Sequence, residues 1–200
     1  MGWALAFVLT YRLGESQLVK MAAPFLLDET SAGGLEYSTE AVGTIYGTLG
    51  IIFLSAGGIL GGVLISRDGL GKWMLPMLLA LNLPNALYAL LAWTGADDLW
   101  AVGGTVMIEQ FGYGFGFAAF LVYLIYLAKG PYKTAHYALA TGFMALGMMV
   151  PGMVSGYVQE WLGYPGFFLW VVAAALPALI LVRFINYPHD FGKKEISEDA

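Results

Sequence analysis

The stretch TEAVGTIYGTLGIIFLSAGGILGGVLIS (39–66) runs into RDGLGK (67–72) and on into WMLPMLLALNLPNALYALLAW (73–93). Each apolar flank is long enough to cross a hydrocarbon core of ~30 Å, which takes ~20 helical residues at 1.5 Å rise per residue. The connection carries Arg67 and Lys72, and short basic loops stay on the cytoplasmic side. Two membrane spans returning through a basic turn is the reading from which the rest of the chain follows.

Working outward, six such apolar stretches appear, at 2–27, 39–66, 73–93, 100–128, 134–161 and 165–186. Seven of the nine Lys/Arg fall at three points: Arg67/Lys72, Lys129/Lys133 and Arg183/Lys193/Lys194. The intervening loops hold acids only, Asp28, Glu29 and Glu36 in one and Asp97 and Asp98 in the other. The positive-inside rule then puts the acidic loops outside and both chain ends in the cytoplasm. The expected organisation is an all-α domain of six transmembrane helices over 1–187, followed by a polar cytoplasmic tail over 188–200. Met1 opening directly on a span, without a cytoplasmic lead, fits a truncated or internally started chain.

Composition points the same way. Hydrophobic residues make up 59% and charged residues 12%, against about 25% charged in a soluble domain. No basic cluster is dense enough for nucleic acid. Zero cysteine excludes disulfides and thiolate metal sites, and nothing in the pattern calls for a metal or cofactor. No basic segment precedes an apolar one at the start, so no cleavable signal peptide is expected.

Glycines recur at four-residue spacing at Gly43/Gly47, Gly57/Gly61, Gly58/Gly62, Gly112/Gly116 and Gly152/Gly156. Small residues at that spacing let helices approach closely in lipid. The second, fourth and fifth spans are therefore expected inside the bundle, and the more evenly apolar third and sixth at the lipid-facing edge. Ser38-Thr39-Glu40 is the expected N-cap segment of the second span. Pro151 with Gly152 reads as a hinge in the fifth. Pro76, Pro84 and Pro177 read as tolerated kinks, with Asn82 and Asn85 as interhelical glue.

Charges inside spans carry the functional reading, because an ionisable side chain at the bilayer centre costs ~2.5–3.5 kcal/mol on insertion scales and needs a partner or water. Arg12, Glu15, Ser16 and Lys20 fall on an arc of about 140° at 100° per residue. Arg12 and Glu15 can pair at i,i+3. Lys20 is the expected charge partner of Glu109 across the bundle. On the fourth span Glu109, Gly112, Tyr113, Gly116, Phe120 and Tyr123 share a face, and aromatic faces with hydroxyl tips suit a solute that is part apolar and part polar. GYGFG at 112–116 is not a nucleotide loop, since its spacing is wrong and it lies within a span. A serine protease pairing Ser155 with His136 is excluded, because one helix would hold them ~28 Å apart.

The order of the spans repeats: the first and fourth carry the acids, the second and fifth the glycines. That echo fits the 3+3 inverted repeat within one half of a major facilitator transporter. GVLISRDGLGK at 62–72 resembles the loop signature of that superfamily at Gly62, Arg67, Gly69 and Lys72, with Ser66 in place of its Asp. More specifically, YRLGE at 11–15, IEQFGYGFGFAAF at 108–120 and TAHYAL at 134–139 resemble segments of AmpG-type muropeptide permeases.

The resemblance implies the C-terminal half of a twelve-helix, proton-coupled symporter in the bacterial inner membrane. Its partners would be the lipid bilayer, a small amphipathic solute, protons, and either an N-terminal six-helix half or a second copy. Glu15 and Glu109 would carry the proton; Arg12, Gln110, Tyr113, Phe120 and Tyr123 would contact solute. No enzymatic activity is expected. The alternative is a non-transporting scaffold or partner subunit.

Overall fold

The computed structural model describes residues 2–194, so 195–200 of the expected tail and Met1 lie outside the described residues. The described residues form helices α1 (Gly2–Thr10), α2 (Leu13–Leu27), α3 (Thr39–Thr44), α4 (Ile51–Asp68), α5 (Leu70–Asn82), α6 (Asn85–Thr94), α7 (Leu99–Leu127), α8 (Lys133–Ala173) and α9 (Leu176–Leu181). A π-helical turn, Ile45–Gly50, joins α3 to α4. Ser38 caps α3 by accepting the Ala41 N–H at 3.2 Å, as its side chain predicts. Asp98 caps α7 from the amides of Trp100 and Ala101.

Four helical runs are long and apolar enough to span a membrane: Thr39–Asp68, Leu70–Thr94, Leu99–Leu127 and Lys133–Leu181. This differs from the six separate stretches for two local reasons. The first stretch is interrupted at Tyr11 and Arg12, where Arg12 leaves helical geometry (φ −111°, ψ 21°). Thr10 Oγ1 bonds back to the Ala6 carbonyl at 2.8 Å, a contact that competes with the backbone ladder. Conversely, the fifth and sixth stretches run together, separated by non-helical backbone at Gly163 (φ 65°, ψ 170°), with a further turn between α8 and α9.

Contacts show what the Gly163 break does. Leu9 meets Gly147, and Lys20, further along the same stretch, meets Gly152. Gly14 meets Val171, whereas Phe25, beyond it, meets Tyr164 and Phe168. The arm before Gly163 therefore runs parallel to α1–α2 and the arm after it antiparallel. Glycine alone tolerates this backbone region. Gly163→Ala is expected to lower stability by ~1–3 kcal/mol, the cost of a strained backbone position, read by thermal unfolding in detergent.

α7 packs between α4 and α5 by glycine-mediated backbone approach. A methyl on Gly114 would lie 2.9 Å from Gly58 N, and one on Gly57 2.9 Å from Phe115 N. Gly112 and Gly116 instead face Ala80 and Met77 of α5. The expected division into inner and edge helices is not followed by the second and third spans, with 22% of the Thr39–Asp68 window buried against 50% for Leu70–Thr94, while Leu99–Leu127, also expected inside, is 44% buried. Glycine spacing marks one close seam rather than a central position, and Gly43, Gly47, Gly62 and Gly156 meet nothing within 4 Å. All-round apolar side chains such as Met74, Met77, Leu78 and Leu81 fill the interior instead.

That interior has two apolar clusters. One holds Phe7, Tyr11, Met77, Phe120 and Tyr123; the other holds Leu18, Phe25, Tyr88, Phe167 and Phe168. Arg12, Glu15, Gln17, Asn82, Asn85 and Glu109 are also buried. Polar side chains in an apolar interior must find partners inside the bundle, and most of these sit where α1 gives way to α2 and α5 to α6.

Candidate functional site: a polar cavity between α2, α7 and α8

The interruption at Tyr11 and Arg12 turns the Arg12 side chain along the first turn of α2. Its Nε donates to Glu15 Oε2 at 2.7 Å and its Nη2 to Glu15 Oε1 at 3.1 Å. Nη2 also donates to the Tyr113 hydroxyl of α7 at 2.7 Å. The guanidinium lies 5.0 Å from the Tyr113 ring centre and 4.7 Å from that of Phe117. A planar, weakly hydrated cation suits this double role of forked donor and aromatic stacker. Glu15 is fully buried and Arg12 only 5% exposed, and Glu15 gains further from sitting in the first turn of α2, where helix N-termini favour negative charge.

One helix away, Glu109 is 2% exposed. Gln110 Nε2 donates to its Oε2 at 3.0 Å. Arg12, Glu15, Glu109, Gln110 and Tyr113 line one cavity of about 240 Å³, closed by Val19 and Ala22 of α2, Tyr46 of the π-helical turn and Met148 of α8. Two carboxyl groups, one guanidinium, an amide and two phenols thus converge on a space large enough for part of a small solute.

Of the residues read from the sequence, Arg12, Glu15, Glu109, Gln110 and Tyr113 are brought together. Phe120 and Tyr123 are not. Phe120 stacks on Tyr11 at 4.2 Å and Tyr123 meets Phe7 edge-on at 5.3 Å, both within the apolar core. Gly112 and Gly116 on the same face of α7 serve the α5 seam. Lys20 does not reach Glu109. The ion pairs among the described residues are Arg12–Glu15, Arg67–Asp68 and Lys72–Asp68, and the exposed Lys20 lays its stem along Gly152 of α8. Tyr46 and Met148 escaped the sequence reading. The Gly43/Gly47 pair flanking Tyr46 was the available signal, taken there for packing alone.

The basic turn is organised around Asp68, which accepts from Arg67 at 3.1 Å, Lys72 at 3.0 Å and Trp73 Nε1 at 3.1 Å. Gly69 takes φ 89°, and a side chain on Gly71 would strike His189. The amides of Leu70 and Gly71 bond Phe191 O and His189 O, each at 2.9 Å, and Lys194 N bonds Ser66 O at 2.8 Å. The start of the expected tail is thus docked on this loop. Pro151 lies within continuous helix, with Ser155 Oγ bonding its carbonyl at 3.2 Å. His136 instead bonds Lys129 O at 3.0 Å, so Ser155 and His136 form no pair.

Apolar helices of membrane-spanning length around a buried ionisable cavity define a multi-pass helical membrane protein. No family model matches the chain. The chain is 30% identical to the anhydromuropeptide permease of Escherichia coli strain K12 over 178 residues, covering 89% of this chain and 35% of that protein. It is 26% identical to AmpG 4 of Rickettsia conorii over 184 residues (91% of this chain, 42% of the relative). It is also 26% identical to AmpG 3 of Rickettsia typhi over 190 residues (92% and 44%). Over about nine-tenths of its length the chain is similar to proteins of the AmpG kind, so the overall resemblance to AmpG-type permeases is borne out. The chain spans about two-fifths of the length of these curated relatives.

Proposed function

We propose that the chain is the C-terminal, six-span half of a major facilitator transporter that imports an amphipathic solute of the sugar-peptide kind with protons. The observation that carries this reading is the convergence of Arg12, Glu15, Glu109, Gln110 and Tyr113 on one cavity. The six crossings rest on counting α1–α2 as one interrupted span and on the reversal at Gly163. The basic residues near 67–72, 129–133 and 183–194 support cytoplasmic placement of those ends in a bacterial inner membrane.

Glu109 is the proton carrier in this account, because it forms no ion pair among the described residues and a carboxyl group moving between water and a low-dielectric cavity changes its proton affinity. Glu15 is held by Arg12. An anionic group on the solute would compete with Glu15 for the guanidinium, which ties solute binding to the charge on Glu15. Pro151 and Gly152 would flex as α8 rocks. Gly62, Arg67, Gly69 and Lys72 would hold the gating loop, with Asp68 supplying the carboxylate that Ser66 does not.

Glu109→Gln in a transporter completed by six upstream spans is the test. Uptake of an anhydromuropeptide driven by an imposed pH gradient is expected to fall to background, while exchange of solute without net proton movement persists. Undiminished gradient-driven uptake would remove Glu109 from the coupling role.

A further inference from the structure

Asn82 and Asn85 flank the break between α5 and α6, and neither takes part in the cavity described above. Asn82 is 3% exposed and Asn85 is wholly buried. Asn82 Nδ2 donates to Leu78 O at 2.9 Å, which fixes the other terminal atom as oxygen. That Oδ1, and both Oδ1 and Nδ2 of Asn85, have no hydrogen-bond partner among the described residues. Asn82 Oδ1 is directed at α2, 3.6 Å from the place of a Cβ on Gly14, on which Val171 O also closes.

The backbone here adds to the demand. Pro84 has no N–H to offer the Ala80 carbonyl. Ala86 N bonds Leu83 O at 3.0 Å and Leu87 N bonds Pro84 O at 2.9 Å, so the turn tightens and the Asn82 main-chain carbonyl loses its usual donor.

We infer that Asn82 and Asn85 form a buried hydration site, where ordered water bridges the α5–α6 break to the start of α2 at Gly14. Buried amides are almost always hydrogen-bonded, to protein or to ordered water. Complete burial of Asn85 keeps lipid headgroups and any partner chain from reaching it. A sodium ion would suit the two amide oxygens but leave the Nδ2 donor facing a positive charge. Water both donates and accepts, so it can satisfy all three atoms. The site does not depend on the transport reading; it would hydrate a weak point of the third span whatever the protein moves.

The test needs only the unaltered chain in lipid nanodiscs. A density map that resolves interior water is expected to show solvent at ~2.7–3.2 Å from Asn85 and Asn82 Oδ1. The melting temperature is expected to be equal in sodium chloride and choline chloride at one ionic strength. The inference is overturned by a map that shows ordered water elsewhere in the interior but none here. It is overturned equally by a sodium-specific rise in melting temperature.

Discussion

Replacing Arg12 with methionine is expected to destabilise the protein by ~3–5 kcal/mol, the usual consequence of removing one partner from a buried ion pair. The carboxyl group of Glu15 would be left fully buried without its two guanidinium bonds, at 2.7 and 3.1 Å, and Tyr113 would lose its donor. The double replacement Arg12→Met/Glu15→Met is expected to recover most of that loss, since exchanging both members of a buried pair for apolar residues is often close to neutral. Chemical or thermal unfolding in bicelles measures both. Equal destabilisation by the single and the double variant would show that the pair is not an energetic unit. The double variant is nevertheless expected to lose solute uptake, which separates what the pair does for the fold from what it does for the cavity.

The second large effect lies in the α4–α7 seam. Gly114→Leu is expected to push the two helices apart and cost at least ~1–3 kcal/mol, the range for overpacking a well-filled interface. Even a methyl there would lie 2.9 Å from a backbone nitrogen, and no side-chain rotation relieves a clash with main chain. A Cβ on Gly43 would meet nothing within 4 Å, and Gly43→Leu is expected to fold as well as the parent. Melting temperature and monodisperse yield after extraction compare the two. Similar losses at both positions would mean that glycine spacing, rather than this particular seam, governs the packing.

That contrast also shows how far the sequence could be read. Span-length apolar stretches, basic turns and the Arg12–Glu15 pair were legible because each follows from spacing along one helix. The close glycine seams were legible as a tendency, but not which of the pairs would be used. Gly57 and Gly114 meet backbone while Gly43 and Gly62 meet nothing, and the difference is set by the partner helix. The order of burial was misread for the same reason: close approach on one face says nothing about the other faces. Phe120 and Tyr123 shared a face with Glu109 on a helical wheel, yet a wheel has no depth, and both lie in the apolar cluster on one side of the cavity. Lys20 and Glu109 were matched by height alone, while the side-chain direction on α2 carries Lys20 to Gly152. Tyr46 reaches the cavity from a π-helical turn, a backbone irregularity that periodicity does not reveal.

Access of water to the cavity is the central claim, and the chain's lack of cysteine makes it directly measurable with single replacements. Gln110→Cys and Ile108→Cys sit two residues apart on α7, one lining the cavity and the other pointing outward at 54% exposure. In sealed membrane vesicles, a membrane-impermeant thiol reagent is expected to modify Gln110→Cys, more slowly when solute is present, and to leave Ile108→Cys in the lipid untouched. If Gln110→Cys proves as unreactive as Ile108→Cys from both sides of the membrane, the polar cluster is a sealed structural lock and not a transport site.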